Sequence, residues 1–199
     1  MVWGRLVCIF VLGASAIALA GCSQAAKSAP VSAASSEPPS APRGDAALIA
    51  SALDAAPPTI GKDAEVAIMT SDGTMRSVRR GSNGFTCIPD DPSTPGPDPM
   101  CLDPNAMDWL MALAAHKPPP QGKPGLIYML KGGVDASNTD PYATKPAAGA
   151  DWVRTGAHLM VVGDPALMAS YSGGPRPDTS APYVMFARTP YAHLMAPVG

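Results

Sequence analysis

Between Ser23 and Gly44 the chain is almost entirely Ser, Ala and Pro, with next to nothing large and apolar. Such a stretch buries too little surface to offset the entropy of ordering it, so it cannot join a core. Any fold is therefore confined to residues 45–199, about 155 residues, which is the size of one domain. Ahead of that stretch Arg5 supplies a positive charge, Leu6 to Ala18 is apolar or small, and small residues lead up to Cys22. This order predicts a signal peptide over 1–21, removed by cleavage before Cys22. A membrane-spanning helix needs about 20 predominantly apolar residues, more than this short run supplies.

Leu19-Ala20-Gly21-Cys22 resembles the bacterial lipobox. The resemblance implies a diacylglyceryl group on the Cys22 thiol and an acyl chain (palmitate or similar) on its amine after cleavage. Several acyl chains anchor a protein stably, where one binds only marginally. Ser23, not Asp, follows the cysteine, and resemblance to sorted lipoproteins then implies the outer membrane, facing the periplasm. Residues 22–44 would be the lipidated cysteine and a disordered tether reaching roughly 25 Å, or more with its prolines.

Of the four cysteines, Cys8 leaves with the signal and Cys22 carries lipid, so Cys87 and Cys101 remain. An even number in an oxidising compartment predicts a disulfide. Zinc is the rival reading, but two thiols with no histidine nearby make a poor zinc site. Formal net charge is −2, and no run of Lys and Arg offers a nucleic-acid footprint; only Arg79 and Arg80 are adjacent. The eleven methionines read first as adaptable core filler.

Leu48, Ile49, Ala52 and Leu53 recur at helical spacing before Pro57-Pro58, predicting a helix over 45–55. Strands are expected over 65–70 and 74–80 around Ser71-Asp72-Gly73, and over 85–88 after Ser82-Asn83-Gly84. Asp103 as N-cap and Pro104 at the first position open a second helix, which ends at Pro118-Pro119-Pro120. Its apolar stripe reads Met107, Leu110, Met111 and Ala114, widened by Trp109 and Leu113. His116 falls in its last turn, where the dipole favours a cation. Further strands are expected over 125–130, 158–162, 183–187 and 193–198, with a helical turn or two over 165–171. The fold is then α+β: a single domain over 45–199, a mostly antiparallel sheet with two helices on one face, and one disulfide-closed loop.

Asn83-Gly84-Phe85-Thr86-Cys87, the segment 132–146, Tyr183-Val184-Met185 and Thr189 through Met195 resemble a group of uncharacterised secreted bacterial proteins. The resemblance covers most of 56–199. It implies a secreted or envelope address and one folded unit, and carries no activity.

Three readings of chemistry follow. The polar segment 132–146 holds Asp135, Ser137, Asn138, Asp140 and Tyr142; so long a polar loop in a small domain is a candidate recognition loop, although these residues also make Asx and Ser turns. The leading expectation is accordingly a non-enzymatic binding or interaction module with a protein or small-ligand partner. Secondly, Ala157-His158-Leu159-Met160 recurs as Ala192-His193-Leu194-Met195. On a strand, residues two apart share a face, so His158 with Met160 and His193 with Met195 each set an imidazole beside a thioether. Imidazole suits copper and thioether selects Cu(I), though a core methionine and a histidine bonded to a loop carbonyl would look the same. Thirdly, Asp135, Ser137 and His158 can be drawn as a hydrolase triad, but no Gly-x-Ser-x-Gly elbow exists. Asp90, Asp91, Asp98 and Asp103 around the proline-rich loop offer oxygen ligands for calcium, without EF-hand spacing.

Overall fold

The structure is a computed structural model and describes residues 43–199. The expectations for the signal peptide, the lipidated Cys22 and most of the tether lie outside the described residues. The elements are helix α1 (Arg43–Leu53), the single turn α2 (Pro58–Gly61), strands β1 (Glu65–Met69), β2 (Met75–Arg79), β3 (Thr86–Ile88) and β4 (Met100–Leu102), and helix α3 (Pro104–Ala114). There follow β5 (Gly125–Met129), β6 (Gly133–Asp135), β7 (Val153–Thr155), β8 (His158–Val162), the turn α4 (Pro165–Met168), β9 (Tyr183–Met185) and β10 (His193–Pro197). Eight strands form one sheet in the order β2-β1-β3-β4-β5-β8-β10-β9, and β6 and β7 pair separately. Only β1 and β3 run parallel; every other pair is antiparallel.

The α+β class, the mostly antiparallel sheet and the disulfide are as expected. Cys87 and Cys101 are direct cross-strand partners in β3 and β4, and their sulfurs are bonded, 14 residues apart in sequence. The two long helices, however, do not share a face. On β4 the consecutive residues Cys101 and Leu102 point to opposite sides. Cys101 clusters with Cys87, Val66, Ala52 of α1 and Ala55 just after it. Leu102 clusters with Ile127, Met160 and the α3 residues Ala106 and Trp109. Each helix therefore covers its own face, and β5 and β8, central in the sheet, are apolar on the α3 side.

The buried stripe of α3 is shifted only in part: Met107, Trp109, Leu110 and Leu113 pack on the core as expected, but Ala106 joins them and Ala114 is exposed. The anchor at its N-terminus explains the shift. Asp103 caps the helix by accepting from Ala106 N–H at 2.8 Å, and its second oxygen accepts from Leu126 N–H at 2.9 Å. One carboxylate thus ties the helix to β5, and Gly125 leaves room there: a Cβ at that position would lie 2.3 Å from Ala106 N.

Candidate functional site

Beneath α3 the sheet, the helix and β6 line a half-open cavity of about 180 Å³. Met160, Met185, Met195 and His193 line it from the sheet, Trp109, Leu110 and Leu113 from α3, and Val134 and Asp135 from β6. Asp98 and Met100, from the disulfide-closed loop, Ile127 and Met129 from β5, and Pro141 and Phe186 complete the wall. The local sequence dictates this placement. β8 and β10 alternate so that Met160, His193 and Met195 face α3, and Met195 lies directly opposite Met160. On the other side of β10, His193 pairs with Met185.

His193 is 1% exposed. Its Nδ1 is 2.9 Å from the Tyr191 carbonyl oxygen, to which it donates as the neutral ring, while Nε2 has no partner. Burial pushes its pKa down to about 4, so the ring is neutral near pH 7. The edges and faces of Trp109 and Phe186 flank it, with ring centroids at 5.1 and 5.4 Å. The Trp109 indole N–H is likewise buried without a partner. Asp135 is half-buried; desolvation pushes its pKa up to about 7, with a further contribution from the charge of Asp98. Burial also raises Asp98, whose oxygens accept from Asp91 N–H and the Thr94 hydroxyl. The arrangement is a mostly apolar, half-open chamber with a free imidazole nitrogen, a free indole N–H and a carboxyl whose pKa is raised. A few polar groups converging in an apolar hollow are the pattern of small-ligand sites, here at the size of a very small ligand.

One wall of the chamber is held in a costly conformation. Phe186 has φ of 54°, in the left-handed region, at a cost of order 1–3 kcal/mol. Its N–H donates to Asn138 O at 2.8 Å, and its carbonyl accepts from Thr189 N–H and from the Thr189 hydroxyl. Asn138 is itself 1% exposed and donates from Nδ2 to the carbonyls of Gly174 and Val184. Strain fixed this firmly beside a cavity holds a side chain where packing alone would not place it.

The residues singled out from sequence divide accordingly. His193, Met160, Met195 and Asp135 meet around the chamber; His158 does not line it. His158 lies opposite Pro197, at the far end of β8 from His193. Its Nδ1 bonds Gly156 O at 2.7 Å, burial lowers its pKa, and its Nε2 is also without a partner. In the loop, Ser137 Oγ accepts from Thr139 N–H and Asp140 N–H, and Asp140 accepts from Tyr142 N–H. Asn138 points inward. Tyr142 donates to Tyr191, whose hydroxyl donates to Lys117 O, and it stacks on His116 at 4.0 Å. This segment spends most of its polar atoms on its own backbone and on tying itself to Gly174, Val184 and Tyr191. Ser137 and His158 are bonded to separate backbone groups, so no triad is assembled. The aspartates at 90, 91, 98 and 103 are occupied as turn and helix caps. Among the described residues no group of three or more His, Cys, Asp or Glu converges on one point.

Sequence reasoning missed Trp109, Met185 and Phe186 as parts of a site. Met185 carried a usable signal: it alternates with Val184 in a strand that turns back towards β10. The Phe186 conformation has no sequence signature, because a phenylalanine there predicts ordinary backbone.

No protein-family model matches the chain, and the searches of curated proteins and of solved structures return no match either. Among the described residues no helix is long and apolar enough to cross a membrane.

Proposed function

We propose that this protein is a lipid-anchored binding module of the cell envelope, non-enzymatic, which holds a small ligand in the chamber beneath α3. The observation that carries the reading is the pairing of the His193 Nε2 acceptor and the Trp109 N–H donor, both buried without partners, around a cavity of about 180 Å³. An orphaned buried polar group costs about 1–3 kcal/mol, and a ligand that satisfies it recovers that cost on binding. The lipobox-like Leu19–Cys22 segment supports the address, outer membrane facing the periplasm. The segment 132–146 serves in this reading as the cover of the chamber, through Asp135 and Pro141.

Two measurements test it. Metabolic labelling with palmitate should mark the wild-type chain and not Cys22→Ala; equal labelling, or none in either, removes the lipid anchor. Native mass spectrometry of the protein taken from its own membranes should show a bound mass that disappears when Ile127→Trp fills the chamber. A bound mass that survives in the filled variant, with its fold intact by circular dichroism, places the ligand elsewhere.

A further inference from the structure

We propose that the ligand of this chamber is a soft monovalent metal ion, Cu(I), held by His193 Nε2 and the thioethers of Met160, Met185 and Met195; the proposal rests on the chamber being the binding site. The donors come from three adjacent strands in register. Met195 faces Met160 across β10 and β8, and His193 faces Met185 across β10 and β9. Cross-strand partners have Cβ atoms about 4.5–5.5 Å apart, and His193 and Met195, two residues apart on β10, share a face. His193 and Met195 are central on β10, with Met185 beside His193 on β9 and Met160 beside Met195 on β8; each is at most 8% exposed and lines the cavity.

The chemistry of the donors selects the ion. Thioethers are soft and neutral, so they bind Cu(I) and leave hard or borderline divalent ions unsatisfied. The imidazole is already in the ligating form: Nδ1–H is committed to the Tyr191 carbonyl, which fixes the ring and leaves the Nε2 lone pair free. A backbone carbonyl in that role is the usual partner of a metal-binding histidine. Trp109 packs T-shaped against His193, with ring centroids 5.1 Å apart, and helps to hold the imidazole in place. Asp135 lies in the same wall, where its carboxyl, once deprotonated, would offset the charge of a monovalent ion. Methionines chosen only to fill a core would require no orphaned imidazole among them.

The experiment uses the mature, full-length protein in detergent, with ascorbate, which keeps copper as Cu(I), and titration against a chromophoric Cu(I) chelator. The comparison is the triple variant Met160→Leu/Met185→Leu/Met195→Leu, which keeps volume and apolarity and removes only sulfur. His193→Gln is the second variant. The expected result is one Cu(I) per chain in the wild type and at least 100-fold weaker binding in both variants, with melting temperatures close to wild type for the leucine variant. Ag(I), the redox-inert analogue, should follow the same order. Wild-type protein that takes up no Cu(I), or leucine variants that bind it as tightly, overturns the proposal. If the native bound mass is nonetheless lost on filling the chamber with Ile127→Trp, the chamber still binds something and only the metal assignment falls. If neither copper nor a native mass depends on the chamber, both readings fall together.

Discussion

Gly125 shows how one residue decides where the site lies. It starts β5 directly under α3, and a Cβ there would sit 2.3 Å from Ala106 N and 2.9 Å from Ala106 Cβ. Those atoms belong to helix backbone and a short side chain, so they cannot swing away. The helix would have to lift, against the two bonds Asp103 makes to Ala106 and Leu126. Overpacking of this kind costs about 1–3 kcal/mol, and because α3 roofs the chamber, the loss should appear in the site as well as in stability. Gly125→Ala should lower the urea midpoint accordingly and increase the exposure of Trp109 to a collisional quencher such as acrylamide. An unchanged midpoint would mean that α3 docks with slack. The same residue explains a failure of sequence reading. Periodicity and the Asp103-Pro104 pair gave the helix and its start, but it ends at Ala114, leaving His116 beyond it at φ 54° and not in a last turn; its buried face is set by where Gly125 lets it touch, and no pattern within the helix records that. Of the site, the His-x-Met repeat was legible because alternation on a strand is local, whereas which of the two histidines reaches the chamber depends on the register between β8 and β10.

At the scale of elements, the least legible pieces were the shortest. β4 is three residues between Pro99 and Asp103, too short to show a period, yet it joins β3 to β5 and so welds the two halves of the sheet. Likewise β6 and β7 hid in polar sequence, because Gly133 and Asp135 read as turn residues. The disulfide made β4 partly visible, since it had to lie near β3. Its contribution can be separated from packing. Closing a loop of this length stabilises a chain by roughly 3 kcal/mol when the unfolded loop is free, but Pro89, Pro92, Pro95, Pro97 and Pro99 already restrict that loop. Cys87→Ala/Cys101→Ala should therefore cost about 2 kcal/mol beyond the small loss of buried sulfur, read by urea denaturation. Asp98 and Met100, which line the chamber from this loop, should then exchange amide hydrogens faster than α1. A double variant as stable as wild type would mean that the prolines and β4 pairing hold the loop unaided.

For the whole molecule, the chamber sets two titrating groups against each other. Asp135 has its pKa raised from 3.8 to about 7 in the fold, by desolvation first and by Asp98 second. The folded state therefore binds its proton more tightly than the unfolded chain does. That contribution to stability is complete below about pH 4 and is lost as pH rises to 7. His193 has its pKa lowered from 6.5 to about 4 by burial. The folded state resists its protonation, so this contribution is complete above pH 6.5 and is lost as pH falls to 4. The two slopes have opposite sign over nearly the same window, and each partly masks the other in the wild type. The charge of His158 contributes to lowering His193 and that of Asp98 to raising Asp135, so each difference from wild type also carries the response of that neighbour. The stability of Asp135→Asn relative to wild type should fall as pH drops from 7 to 4, because the variant no longer has the carboxyl's gain in acid. That of His193→Gln should rise over the same interval. Each difference should span on the order of 2 kcal/mol, less for half-buried Asp135, where solvent screens part of the effect. Denaturant midpoints at half-unit pH steps give both curves, and the double variant tests their independence: groups that share one wall should depart from additivity. Two flat differences would show that water enters the chamber freely, and a site open to water could hold neither the orphaned imidazole nor a soft metal ion in the way its geometry demands.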